Sequence, residues 1–360
     1  MKNTLHFAVT VGINRYPGMG KDLTLARGDA EAFAGWLLDP NGGNLPVENV
    51  KTLVIPDDEI PPSTAREDAR PIRREVLNAL GGYEANVLHH LGSHPEDWER
   101  TRLYFYVSGH GLAPGPKDAA LLMADAGPRC YGENIACSAL LKYFGETQPY
   151  KEVVIFADCC RDRIPGAPLG GVTWTVTKRD NGEVSTAFGC ATEYGRSAFE
   201  AGPEVPDNPD ELRGFYTQAL LEGLKGAAID TSTGNIDSNS LARYLRPRVR
   251  ELTEKKPEPQ KSTMEADPSE PIVFRSGLTE DDVPRHTITL KFDTEYVGPV
   301  ELLRKGRDRI DQLRVSYVGQ EWLVQLAFGM YQVVPTEHSA HSFQDQGRFT
   351  VIGAPKHVTL

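Results

Sequence analysis

Two short apolar runs, Tyr104-Phe-Tyr-Val107 and Val153-Val-Ile-Phe-Ala157, constrain this chain more than any other feature. Each is a β-branched and aromatic stretch of strand length that stops abruptly, the first at Ser108-Gly-His-Gly111 and the second at Asp158-Cys-Cys-Arg-Asp162. His110 and Cys160 are therefore expected at strand ends, where open α/β sheets carry their chemistry. Alternation along the second strand sends Asp158 and Cys160 to one side and Cys159 to the other, so Cys159 is assigned to the core.

Around these runs, strand-like and helix-like stretches alternate from the start of the chain to about residue 250, the signature of a mainly parallel sheet flanked by helices. Further strands are expected at 6–13, 51–55, 119–123 and 186–191, with a short one at 195–200 and an edge strand at 271–274. Ala26, Ala30, Phe33 and Leu37 recur at helical spacing, and Ile72, Val76, Leu77 and Leu80 mark a second helix that starts near Pro71. Other helices are expected at 137–144, 215–224 and 238–252, and 201–210 reads as a surface loop. Composition shifts near Glu254, and from His286 onward short strands repeat at 287–292, 313–318, 321–326, 331–335, 347–352 and 357–360. That spacing predicts a small all-β sandwich. The expected organisation is an α/β domain over 1–276, a linker over 277–285 and a β domain over 286–360.

The net charge of −11 excludes the basic footprint of a nucleic-acid-binding protein. No apolar run approaches the roughly 20 residues of a membrane span, and the N-terminus leads into strand-like sequence without a small-residue cleavage site. A cytoplasmic protein is expected. Five cysteines, an odd number, argue against a disulfide framework.

A cysteine thiol attacks a carbonyl as its thiolate, so it needs a neighbouring imidazole to take the proton. His110 lies between Gly109 and Gly111, which let a substrate backbone approach without meeting a Cβ. The amides of Gly111 and Cys160 are the candidate donors to a developing oxyanion. Zinc is disfavoured because adjacent Cys159-Cys160 lacks the spacer of ordinary zinc pairs; no metal or cofactor is expected. Gly18-Met-Gly-Lys21 reads as a turn and not as a phosphate loop.

Together these segments resemble the caspase-like cysteine peptidases, in particular the metacaspase and bacterial caspase-homologue branch of the peptidase C14 type. Val107-Ser-Gly-His-Gly111 matches the histidine motif, Asp158-Cys-Cys160 matches the Asp-x-Cys element, and the histidine lies fifty residues before the cysteine. The likeness extends to Ala8-Val-Thr-Val-Gly-Ile-Asn-Arg-Tyr16, to Asp29-Ala30 and to 214–224, and spans roughly residues 1–275. It departs after the nucleophile, where Arg161-Asp-Arg163 stands in place of His-Ser-Gly or Arg-Gly.

The resemblance implies a caspase-like fold and a cysteine endopeptidase with a His110–Cys160 dyad. It also implies cleavage after Arg or Lys, with Asp29 and Asp158 lining the pocket for the basic side chain. An unpaired pair of carboxylates is costly unless a cation fills the pocket; capping, or pairing with Arg27 and Arg161, is the plainer role for the same residues. Family members are commonly regulated by cleavage after the nucleophile strand, which makes Lys178 and Arg179 candidate autoprocessing residues. Asp180-Asn-Gly182 would equally suit a hairpin turn. Some members need calcium, although no acidic run here has EF-hand spacing. The expected partners are a protein substrate with a basic residue at the cleavage point and a regulatory protein on the β domain. The setting by family analogy is a regulated protease of bacterial stress, defence or cell death. Two other readings stay open: an inactive caspase-like binding scaffold, and a protease cleaving after Asp through Arg15, Arg27 or Arg196.

Overall fold

The structure is a computed structural model. It describes residues 2–61, 63–174, 179–200, 212–279, 282–292, 296–304, 308–317, 319–336, 342–351 and 356–360. The chain divides into two compact units, Met1–Lys225 with Asn235–Ser276, and Gly226–Gly234 with Gly277–Leu360.

The first unit is built on six strands: β1 (His6–Gly12), β2 (Val50–Leu53), β3 (Arg102–Gly109), β4 (Glu152–Cys159), β5 (Ser185–Cys190) and β6 (Thr263–Ala266). Their order in the sheet is β6-β5-β4-β3-β1-β2. Every neighbouring pair is parallel except the edge pair β5–β6. The two apolar runs became the central strands because β3 is buried along its whole length and β4 from Val153 onward. In register, Ser108 lies opposite Asp158 and Gly109 opposite Cys159, so the two motifs end side by side.

Among the described residues five α-helices belong to this unit: α1 (Ala26–Leu38), α2 (Arg73–Ser93), α3 (Cys137–Thr147), α4 (Phe215–Glu222) and α5 (Ser238–Leu252). On one face, Phe7, Val9, Leu103, Phe105, Val153 and Ile155 share a core with Val76, Leu77 and Leu80 of α2 and with Leu140 and Phe144 of α3. On the other face Phe33 of α1 stacks on Tyr106, with ring centroids 4.7 Å apart, and meets Phe156 edge-on. The apolar stripe Ala26, Ala30, Phe33 and Leu37 is buried as its spacing predicts.

A small second sheet closes over the ends of β3 and β4, with strands Asn134–Ala136, Ala120–Leu122, Gly111–Ala113 and Asp162–Arg163 in that order. Leu112 pairs with Asp162, which ties together the segments that leave His110 and Cys160. Arg161 is buried here, and its guanidinium donates to the carbonyls of Asp118, at 2.9 Å, and Thr192. The residue at which the sequence departs from the caspase-like pattern thus holds neighbouring loops together.

Among its described residues the second unit contains two sheets. One joins Glu321–Ala327, Arg285–Lys291 and Lys356–Thr359; the other joins Asp308–Val315, Gly298–Arg304, Gly329–Pro335 and Arg348–Val351. Ile288, Leu290, Val300, Leu302, Trp322, Val324, Tyr331 and Val351 form its core. The expected fold class, a mainly parallel sheet flanked by helices together with a smaller all-β part, is the one observed.

Two of the local expectations need correction. Residues 195–200 form no strand: the Ala198 and Phe199 amides bond to the Cys160 sulfur and the Gln260 side chain, and the segment has one isolated bridge, from Glu200 to Gly214. The strand near 271–274 is Val273–Arg275, and it pairs with Ile236–Asp237 apart from the large sheet. Strands β6 and Gly298–Arg304 had no counterpart in the sequence reading.

Candidate active site

His110, Cys160, Asp29 and Asp158 line one cavity of about 340 Å³, together with Lys21, Ser108, Ala198, Glu200 and Gly214. Parallel pairing of β3 with β4 delivers His110 and Cys160, while Asp29 arrives from the first turn of α1. Cys159 points the other way into the core. All five cysteines are free.

The His110 ring nitrogen Nε2 lies 2.8 Å from the Lys21 carbonyl oxygen. A carbonyl only accepts, so Nε2 carries the proton and Nδ1 keeps its lone pair. Burial, the largest influence, holds the imidazole below its ordinary pKa. The Cys160 thiol is pushed up to about 11, chiefly by burial and then by the Asp162 charge. The resting pair is therefore thiol and neutral imidazole. The Ala198 amide donates to the Cys160 sulfur at 3.3 Å, and the thiol faces the Ala198 carbonyl at 3.7 Å. Gly111 begins the strand after His110; a Cβ there would stand 2.5 Å from the Cys160 carbonyl oxygen, so the two backbones touch.

Asp29 is 1% and Asp158 7% exposed; the Arg213 charge acts on Asp29, and Asp158 caps the first turn of α4 through Thr217. Arg27 pairs with Glu31, and Arg161 with the loop carbonyls. Asp29 accepts from the Gly214 amide at 2.9 Å and the Ser108 hydroxyl at 3.2 Å. Asp158 accepts from the Thr217 amide at 3.1 Å and hydroxyl at 2.5 Å. Burial raises both carboxyl pKa values, with the Asp158 charge adding to the effect on Asp29; Asp158 stands at about 6. Glu200 closes the rim by accepting from the Thr24 and Leu25 amides at the start of α1.

The remaining sequence candidates lie elsewhere. Lys178 is outside the described residues. Arg179 is half-buried and lines a separate cavity of about 240 Å³ with Glu84, Tyr143 and Trp174. Arg15, Arg27 and Arg196 pair with Asp22, Glu31 and Glu258, and none lines the cavity around Cys160. Among the described residues no cluster of His, Cys, Asp or Glu could hold a metal ion, and no helix is long and apolar enough to cross a membrane.

Sequence reasoning missed the backbone partners, the Lys21 carbonyl and the Ala198 amide, which carry no side-chain signature. It also missed Ser108, Gly214 and Thr217. All three lie in the quoted family-like segments, so their position beside the motifs was the available signal.

No protein-family model matches the chain. Over 225 residues it is 26% identical to a protein of a Desulfuromonadales bacterium named a probable protease. The match covers 61% of this chain and 26% of that protein, so the chain spans about a quarter of its relative's length. The crystal structure of a Geobacter sulfurreducens protein is 16% identical and covers 76% of this chain and 98% of its own, at a TM-score of 0.41.

Proposed function

We propose that the chain is a cysteine endopeptidase of the caspase and metacaspase type, cleaving after Arg or Lys. The observation that carries this reading is the convergence of a histidine, a cysteine and two buried carboxylates, Asp29 and Asp158, on one cavity. Similarity to a probable protease supports peptidase chemistry in general.

In this reading a substrate guanidinium or ammonium enters between Asp29 and Asp158 and places the next carbonyl carbon at Cys160. The thiol transfers its proton to His110 Nδ1 as sulfur attacks, and the Gly111 and Cys160 amides stabilise the oxyanion. His110 then gives the proton to the leaving amine. Water, deprotonated by the same imidazole, releases the acyl group from sulfur. Four carboxylates, Asp29, Asp158, Asp162 and Glu200, against one lysine, Lys21, at the cavity favour a basic over an acidic substrate side chain. The family resemblance adds autoprocessing near Lys178 and Arg179, a recruiting role for the β domain and a setting in bacterial stress, defence or cell death.

A binding scaffold is the second reading, favoured by the Ala198 amide seated on the Cys160 sulfur. Peptides ending in Arg, Lys or Asp, assayed with and without calcium, separate the two. Hydrolysis after Arg or Lys that is absent in Cys160→Ala supports the protease. Binding of Arg peptides without turnover in every condition supports the scaffold.

A further inference from the structure

We propose that Tyr16 is a positioning residue for His110, an assignment that rests on His110 being the base. Tyr16 is fully buried, and its ring centroid lies 4.7 Å from that of the imidazole. Its hydroxyl accepts from the His110 amide at 3.0 Å and donates to the Leu122 carbonyl at 3.2 Å. The Leu122 amide in turn donates to the His110 carbonyl at 2.8 Å. The hydroxyl thus closes a ring of hydrogen bonds around the main chain of His110.

This main chain needs holding. His110 stands between two glycines at the break between β3 and the strand Gly111–Ala113. Gly109 has φ +157°, and a Cβ there would stand 2.4 Å from the Tyr16 oxygen. The glycine admits the hydroxyl but leaves the backbone free to move. Tyr16 restores the restraint.

The same short stretch fixes the ring. The Tyr16 carbonyl accepts from Met19 in a turn, and Lys21, two residues further, presents the carbonyl that takes His110 Nε2. Asp22 accepts from the Tyr16 amide at 2.9 Å and pairs with Arg15 at 2.7 Å, which anchors the stretch. Residues 16–22 therefore meet His110 at its amide, its ring face and Nε2. With those three points fixed, the orientation of Nδ1 is set before substrate arrives, and small misplacements of a reacting group cost large factors in rate.

The test is Tyr16→Phe, which keeps the ring and removes the hydroxyl, assayed on an Arg peptide beside His110→Ala. The expected result is a kcat lower by about tenfold to a hundredfold with KM changed less than twofold. A second probe, 3-fluorotyrosine at position 16, weakens the acceptor without altering the packing and should give an intermediate kcat. Unchanged kcat in both proteins, or a proportional rise in KM, overturns the assignment. Iodoacetamide alkylation of Cys160 separates this from failure of the protease reading, since it needs no turnover. If His110→Ala slows alkylation and Tyr16→Phe slows it too, positioning stands even in a chain that cleaves nothing. If only His110→Ala slows it, the assignment falls.

Discussion

The carboxylates of Asp29 and Asp158 converge on Gly214: a Cβ there would stand 2.8 Å from Oδ2 of Asp29 and 2.7 Å from Oδ2 of Asp158. The absence of a side chain at 214 is what leaves room between them. Gly214→Ala should therefore raise KM for Arg peptides at least tenfold while changing kcat much less. Steady-state kinetics on one peptide checks this, and an unchanged KM would remove the carboxylates from substrate binding.

Asp158 titrates near 6 when folded, against an ordinary value of 3.8, because burial disfavours its charge. The folded state binds this proton more tightly than the unfolded chain does. Its contribution to stability is therefore present at low pH and is lost as pH rises from about 4 to about 6. The unliganded protein should lose melting temperature across that window, and Asp158→Asn should reduce the loss, the remainder coming from Asp29, whose pKa burial also raises. Agmatine, which carries a guanidinium, should stabilise the wild type more at pH 7.5 than at pH 5. Equal stabilisation at both values would contradict a pocket whose carboxylates must ionise to hold a cation.

With its thiol near 11, Cys160 is almost wholly protonated at pH 7. Alkylation by iodoacetamide should be slow there and rise about tenfold per pH unit between 7 and 9, following the thiolate fraction. Peptide mapping after partial labelling reads the rate at Cys160 directly. A plateau below pH 8 would mean a preformed thiolate–imidazolium pair.

Helix α4 holds the Asp158 carboxylate through Thr217, so its own anchoring matters to the site. Arg248 of α5, 4% exposed, grips Glu222 of α4 through Nε at 2.7 Å and Nη2 at 2.9 Å. Arg248→Ala leaves the carboxylate without its partner and should destabilise the protein by about 3 kcal/mol. Urea unfolding measures this, and a change below about 1 kcal/mol would make the pair incidental.

Much of this architecture was legible because burial and motif coincide in it. Strands β3 and β4 are apolar on both faces, and the alternation that sent Cys159 inward and Asp158 to the cavity is a direct consequence of strand geometry. Strand β6, Thr-Met-Glu-Ala, was invisible because an edge strand with half-exposed residues shows neither alternation nor an apolar run. Residues 195–200 read as a strand but spend their amides on a sulfur and a glutamine, a choice made by tertiary partners. Asp29 was found only through the family likeness. Its bonds to Gly214 and Ser108 join residues far apart in the chain, and local pattern does not record them.

The central claim is tested most directly by hydrolysis of matched fluorogenic peptides ending in Arg, Lys or Asp, with wild type and Cys160→Ala, with and without calcium. The account predicts release after Arg or Lys that vanishes in Cys160→Ala. Release after Asp, or activity that survives the substitution, would contradict it.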